Sequence, residues 1–313
     1  MKNKYILILL LALTSCKYPF ELDYMDAKPM AAIRSYVCAD SLVTIDIYKT
    51  VPISQFAKAD TALLSPHYTI KCNGVEVSTE ESIIGAGHMV LKTDAFKRGD
   101  KIELVFQSDD TETAVANTVI PGTFPDYELK LGKSNDAERN LKIRYKDNPA
   151  TDDWYGAVVK WRGVQGTYVG LDELQYDEVT DQSIVPPSGY DSIHIEPDAY
   201  SPISVYFNGN YLYVWSDYDE DDNEYDLSFN YKPRWGGNVT EVKEVEIQCV
   251  LFTLSEEMYK HIFAQFDRQN NPFKDAGFSS PAFTYSNVRN GLGYFCGYSV
   301  VQSDWIKDTF FEE

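Results

Sequence analysis

The stretch Tyr68-Thr69-Ile70-Lys71-Cys72-Asn73-Gly74-Val75-Glu76-Val77 decides the fold class. Tyr68, Ile70 and Cys72 alternate with Thr69 and Lys71, and because successive side chains of a strand face opposite ways, this is the pattern of a half-buried strand. Asn73-Gly74 then supplies the strongest short signal for a tight hairpin turn, and Val75-Glu76-Val77 is the returning strand. The same period continues on either side. Ala32-Ile33-Arg34-Ser35-Tyr36-Val37-Cys38 and Leu42-Val43-Thr44-Ile45-Asp46-Ile47-Tyr48 precede the hairpin. After it, Arg98-Gly99-Asp100 turns the chain into Lys101-Ile102-Glu103-Leu104-Val105-Phe106, and Thr113 to Ile120 form a last strand that Pro121-Gly122 stops. Short strands at this spacing predict an immunoglobulin-like β-sandwich over residues 31–122, with a domain boundary at 123–126.

Beyond the boundary the chain stays mainly β. Leu141–Tyr145, Tyr155–Trp161 and Val205–Phe207 read as strands, Asn208-Gly209 as a turn into Tyr211–Trp215, and Val242–Leu251 as a further strand. Residues 171–202, with adjacent prolines at 186 and 187, read as a long surface excursion. One helix is expected at about 254–269: Thr253 and Glu256 have capping-box spacing, Met258, Ile262, Phe263 and Phe266 recur at helical period, and Asn270-Asn271-Pro272 ends it. Such an apolar stripe belongs against a sheet. The expected architecture is therefore a sandwich followed by a larger β-rich domain, sandwich or barrel-like, over 126–313. The 23 tyrosines against 5 methionines suit sheet surfaces better than helix bundles.

Charge narrows the partners. At a net charge of -20, with 28 basic residues against 48 acidic ones, the chain offers no clustered surface for a phosphate backbone, so nucleic acid is not expected as a partner. The N-terminus gives an address. Lys2 and Lys4 precede the apolar run Tyr5–Leu13, which is far shorter than the roughly 20 residues a membrane-spanning helix needs, and small residues lead to Cys16. This pattern resembles a lipobox: residues 1–15 are expected to be a signal peptide, Cys16 the lipidated mature N-terminus, and residues 16–30 an acidic tether between lipid and fold. Acyl chains on that cysteine hold a protein to a membrane, since each buried methylene contributes about 0.8 kcal/mol. Cys38, Cys72, Cys249 and Cys296 remain, an even number that permits two disulfides in an oxidising compartment; pairing Cys38 with Cys72 and Cys249 with Cys296 keeps each bridge inside one expected domain, while small buried thiols are the alternative.

Asn271-Pro272-Phe273, Tyr285-Ser286-Asn287-Val288 and Asn290-Gly291-Leu292-Gly293-Tyr294-Phe295-Cys296-Gly297-Tyr298 resemble the C-terminal signature of a lipoprotein family known as domain of unknown function 4249. The lipobox, the strand at Ala32–Val37, the Asn73-Gly74 hairpin, the Arg98-Gly99-Asp100 turn and the Val119-Ile120-Pro121 exit fall in the order of that family. The chain departs from it at Lys274-Asp275-Ala276-Gly277 and in carrying Cys296 within the glycine-rich strand. The resemblance implies an outer-membrane lipoprotein of Bacteroides-type bacteria, facing the cell exterior and associated with TonB-dependent receptors that capture a nutrient. Physically, Gly291, Gly293 and Gly297 read as architecture, sites where a side chain would block a backbone conformation or a close approach.

Catalytic, cofactor and metal sites are not expected. His67, His88, His194 and His261 lack paired spacing, no CxxC motif is present, and no GxSxG elbow occurs. Asp217, Asp219 and Asp221 alternate like a calcium loop, but Asp222 and Ser228 stand where that loop needs Gly and Glu, so a solvated acidic turn is the better reading. Asn238-Val239-Thr240 is a formal glycosylation sequon without expected meaning here. Aromatic residues crowd 206–235, among them Tyr206, Tyr211, Tyr213, Trp215, Tyr218, Tyr225, Phe229, Tyr231 and Trp235; alternate ones either face outward as stacking platforms or are covered by protein. The expected function is a non-enzymatic binding or accessory component of nutrient uptake, with a cell-surface structural or adhesive protein as the alternative.

Overall fold

The computed structural model describes residues 28–39, 43–51, 63, 65–85, 88–92, 96–135, 138–148, 150–163, 169–172, 174–176, 212–216, 224–231, 245–270 and 285–310. Its first half runs β1 (Ala31–Val37), β2 (Val43–Lys49), β3 (His67–Cys72), β4 (Val75–Glu76), β5 (Glu80–Gly85), β6 (His88–Lys92), β7 (Lys101–Ser108) and β8 (Thr111–Val119). Its second half runs β9 (Tyr127–Asn135), β10 (Glu138–Lys146), β11 (Trp154–Gly163), β12 (Val169–Asp172), β13 (Leu174–Tyr176), β14 (Tyr213–Ser216), β15 (Glu224–Tyr231), β16 (Val245–Leu254), a helix α1 (Glu256–Asn270), β17 (Val288–Arg289), β18 (Gly291–Gln302) and β19 (Ile306–Lys307). The protein is mainly β, as its sequence pattern requires.

The strands form three sheets. A 10-stranded sheet runs β12-β11-β16-β18-β1-β2-β6-β5, with β14 on β11 and β19 on β16; a 4-stranded sheet runs β13-β15-β10-β9, and a 5-stranded sheet β17-β8-β7-β3-β4. The large sheet is shared. Ile33, Val37, Ile45, Ile47 and Phe295 on one of its faces meet Ile70, Ile102, Leu104, Phe106 and Ala116 of the five-stranded sheet, forming a sandwich core. Side by side with it, Val159, Trp215, Ile247 and Leu251 of the large sheet meet Leu141, Ile143, Tyr145, Leu227 and Phe229 of the four-stranded sheet in a second core. Each such aliphatic side chain contributes roughly 1.5–3 kcal/mol when fully buried.

The division expected at 123–126 falls between β8 and β9, and strand pairing crosses it. β18, near the C-terminus, lies parallel beside β1 in the register Ala31↔Gly291 through Val37↔Gly297, then continues antiparallel to β16 from Tyr298↔Leu254 to Gln302↔Val250. The N-terminal sandwich is thus completed by a strand from the far end of the chain.

The helix packs on the opposite face of the large sheet, where Met258, Tyr259 and Ile262 meet Phe252, Leu254, Tyr294 and Tyr298. Its start corrects the expected capping box. Thr253 belongs to β16, and Ser255 is the cap: its Oγ accepts from Met258 N at 3.2 Å and its carbonyl from Tyr259 N at 3.1 Å. Glu256 and Glu257 fill the first turn, where the helix dipole favours negative charge. Phe263 of the expected stripe is 41% exposed.

Candidate functional site

The glycine-rich signature builds a junction. Asn287 hydrogen-bonds as a strand neighbour would: its Oδ1 accepts from Phe295 N at 2.9 Å, while its Nδ2 donates to Phe295 O at 2.7 Å and to Asn117 O at 3.0 Å. Asn290, at φ 57, donates from Nδ2 to Thr113 O at 3.2 Å. At Gly293 the backbone has φ +102, and a Cβ there would sit 1.9 Å from Ile33 O, so any side chain would part β18 from β1.

Gly297 marks where β18 passes from β1 to β16. Its N–H donates to Thr118 Oγ1 at 2.8 Å and to Ser255 Oγ at 3.2 Å, and its carbonyl accepts from Ser255 N at 2.9 Å. Thr118 Oγ1 lies 3.3 Å from Ser255 Oγ, and Ser299 Oγ donates to Pro121 O at 2.7 Å. A Cβ on Gly297 would fall 1.9 Å from Val119 O. The end of the sandwich, the β16–α1 corner and the signature strand therefore meet at one backbone position. The architectural reading of these glycines accounts for both clashes.

Beside the junction lies a cavity of about 370 Å³, walled by Gly74 and Lys101 from one end of the five-stranded sheet, by Asn117 and Val119 of β8, and by Glu257 of the helix. Its volume falls within the roughly 300–1,000 Å³ common for small-molecule sites. Thr118 Oγ1 reaches Glu257 Oε2 at 3.4 Å, and Lys71 Nζ holds Glu103 at 2.7 Å on the same sheet. Lys101, Glu103 and Glu257 are the charged residues of its lining.

Other sequence-marked residues are dispersed. Cys38, Cys72, Cys249 and Cys296 are free thiols, which corrects the expected pairing: Cys72 borders the sandwich core, Cys249 lies in the second core, and Cys38 and Cys296 lie under the helix. Burial, with a hydrogen bond to Asp100, pushes the Cys72 thiol up to about 11. Burial alone raises Cys249, and burial with nearby Glu257 raises Cys296. Cys16, the Asp217–Asp219–Asp221 triad, Asn271–Gly277 and most of 171–211 lie outside the described residues. Among the described residues, no three His, Cys, Asp or Glu side chains converge to hold a metal ion, and no helix is long and apolar enough to cross a membrane. Of the aromatic run, Tyr213, Trp215, Tyr225 and Phe229 are covered by protein in the second core, packed edge-on and stacked with Phe124, Tyr145 and Tyr155.

That aromatic core carries polar contacts that no spacing rule marks. Tyr155 OH donates to Asp147 Oδ1 at 2.6 Å, and Trp215 Nε1 donates to Tyr145 OH at 3.0 Å. Burial, then Asp147, pushes the Tyr155 phenol far above its ordinary value. Arg139 Nε donates to both oxygens of Asp308 at 3.0 and 2.8 Å, and its Nη2 to Phe310 O at 2.9 Å, tying the C-terminal segment to β10.

Two β-sandwich cores sharing one sheet, fastened by a glycine-rich strand, define a double-sandwich class of mainly β protein. The chain belongs to the family described as domain of unknown function (DUF4249), whose model matches residues 17–304. Comparison with curated proteins finds no match. Among solved structures, the chain is similar to the major pilin subunit of Bacillus cereus at 12% identity and TM-score 0.23, over 72% of this chain and 64% of the pilin. It is also similar to the collagen adhesin of S. aureus at 8% identity and TM-score 0.18, over 89% and 96% of the two chains. Bovine butyrophilin matches at 12% identity and TM-score 0.18, over 72% and 90%. Overlaps this loose transfer no function.

Proposed function

We propose that the protein is an outer-membrane-anchored lipoprotein, facing the cell exterior, that serves as a non-enzymatic binding or accessory component of a TonB-dependent nutrient uptake system. One observation carries the reading. The family match begins at residue 17, one position after Cys16, which supports reading Cys16 as the start of the mature chain. In this reading acylation of Cys16 pins the tether to lipid, and the shared sheet acts as a rigid platform that holds loops and the cavity beside Gly297 toward a ligand or a receptor.

The test has two arms. Labelled palmitate should enter the full-length chain in its native host and be lost on Cys16→Ser. From mildly solubilised membranes the wild type should copurify with a β-barrel receptor. Recovery of an unlabelled protein, or repeated recovery of the chain alone, overturns the reading. A deletion strain that loses attachment while growing normally on every nutrient tested points to adhesion instead.

A further inference from the structure

In a chain of net charge -20, the hairpin of β9 and β10 runs against the trend: residues 127–146 hold Lys130, Lys133, Arg139, Lys142, Arg144 and Lys146 against Glu128, Asp136 and Glu138. Arg139 turns inward to Asp308, and Lys133 lies opposite it in the register; Lys130, Lys142, Arg144 and Lys146 lie on the outer side of the four-stranded sheet. Strand register orders that face in rows. Glu128, Arg144 and Asp226 lie side by side in one, Lys130, Lys142 and Ser228 in the next, and Gly132, Asn140 and Asn230 in the third.

Arg144 is already committed, with Nη2 on Asp226 Oδ2 at 2.6 Å. Lys130 and Lys142 are not: they stand directly opposite each other on neighbouring strands, both exposed, and among the described residues neither takes part in an ion pair. Like charges directly opposite destabilise a sheet, and although both lysines help hold the nearby Asp226 carboxylate ionised, its direct partner is Arg144, so neither ammonium is neutralised by an ion pair. Next to the pair Gly132 puts no side chain over the strand, and a cavity of about 160 Å³ is lined by Glu128, Lys130, Lys142, Arg144 and Asp226.

We infer that this face is a binding site for a carboxylated sugar of an extended acidic glycan, its carboxylate bridging Lys130 and Lys142 and its hydroxyls donating to Glu128 and Asp226. The mixture of charges selects this class. Two ammonium groups outside any ion pair match an anion, and adjacent carboxylates that would repel a purely anionic surface are the acceptors that sugar hydroxyls need. A phosphorylated lipid surface fits less well, because Glu128, Glu224 and Asp226 face the same way and the described outward side chains of β9, β10 and β15 present no apolar group to a membrane. The inference names a ligand class for the proposed capture role and rests on that role for its biological purpose, not for its chemistry.

Titration calorimetry of the detergent-solubilised full chain tests it, with trigalacturonate as probe. Neutral trigalactose, inorganic phosphate and anionic phospholipid vesicles form the comparison arms. Trigalacturonate should bind, trigalactose should bind at least roughly tenfold more weakly, and affinity should fall as salt rises from about 0.05 to 0.5 M. Lys130→Gln with Lys142→Gln should weaken trigalacturonate by at least about tenfold, while Lys130→Arg with Lys142→Arg retains it. The Gln pair sits on an exposed face, so it should keep a cooperative melting transition within a few degrees of the wild type's, which separates lost binding from lost folding. Equal affinity for the neutral sugar, undiminished binding by the Gln pair, or binding confined to phosphate, to vesicles or to a second copy of the chain overturns the inference. Receptor copurification is measured separately, so either result can fail without the other.

Discussion

The two cores solve the same packing problem with different chemistry. The sandwich core is mostly aliphatic: Ile33, Val37, Val43, Ile45, Ile47, Ile70, Ile102 and Leu104 fill it with Phe96, Phe106 and Phe295, none of which has a side-chain polar atom to satisfy. The neighbouring core is aromatic, with Phe124, Tyr145, Tyr155, Tyr213, Trp215 and Phe229 in edge-on and tilted contacts, and its hydroxyls and indole must find partners inside. An aliphatic core needs only the right volumes on the right faces. An aromatic one needs particular partners, since a buried donor left without an acceptor costs about 1–3 kcal/mol, and that requirement specifies the packing more narrowly.

Substitutions can break this contrast in order of size. Gly297→Val should have the largest effect, because the new Cβ falls 1.9 Å from Val119 O where both halves meet. We expect destabilisation beyond about 4 kcal/mol and loss of both cores in one denaturant transition. Two separate transitions would show that the halves fold independently. Arg139→Met should cost about 3–5 kcal/mol by stranding the Asp308 carboxylate, 0% exposed, and Arg139→Met with Asp308→Leu should recover most of it. Ile33→Ala, in the aliphatic core, should cost about 2–5 kcal/mol through cavity formation. Tyr155→Phe, which removes no volume but takes the donor from Asp147, should cost about 1–3 kcal/mol. If Tyr155→Phe proves neutral, the aromatic core is no more selective than the aliphatic one.

The smallest expected effect is in pH. The folded Cys72 thiol lies near 11 against an ordinary 9.0, so the folded state holds its proton where the unfolded state releases it. Its contribution is complete below pH 9 and disappears as pH rises to about 11. Comparing chemical denaturation of the wild type and Cys72→Ala at pH 8 and pH 11 isolates this share. At pH 8 the native thiol should alkylate slowly, and Asp100→Asn should speed it by lowering the thiol toward its ordinary value.

The contrast also explains what the sequence revealed. β7 and β8 were legible because each buries one clean set of alternate residues, and β1, β2 and β3 because apolar and polar residues alternate in their sequence, with Asn73-Gly74 punctuating them. β14 overlaps the expected strand Tyr211–Trp215, but its faces could not be assigned, since Tyr213, Val214 and Trp215 are buried on both sides and no alternation survives. The helix was legible as an element, but its cap was displaced by two residues: Thr253 and Ser255 are both competent caps, and only the length of β16 decides between them. The glycines of the signature could be marked as architectural from their type alone. Their neighbours could not be read, because Gly293 meets Ile33 and Gly297 meets Val119 across separations that leave no local trace. The lysine pair was hidden for a related reason, since Lys130 and Lys142 become neighbours only through the hairpin register. The strand that completes the N-terminal sandwich, β18, was hidden likewise, because it pairs with β1 from the far end of the chain.

That pairing has a mechanical side. β1 is the first described strand, and it is hydrogen-bonded along both edges, parallel to β18 and antiparallel to β2. A force pulling the preceding segment along the strand axis loads both rows of bonds in shear, so they must rupture together rather than peel one at a time. Because β18 continues onto β16, the strain spreads into the far half of the molecule. The first described strand is therefore built to hold against tugging from the residues that precede it.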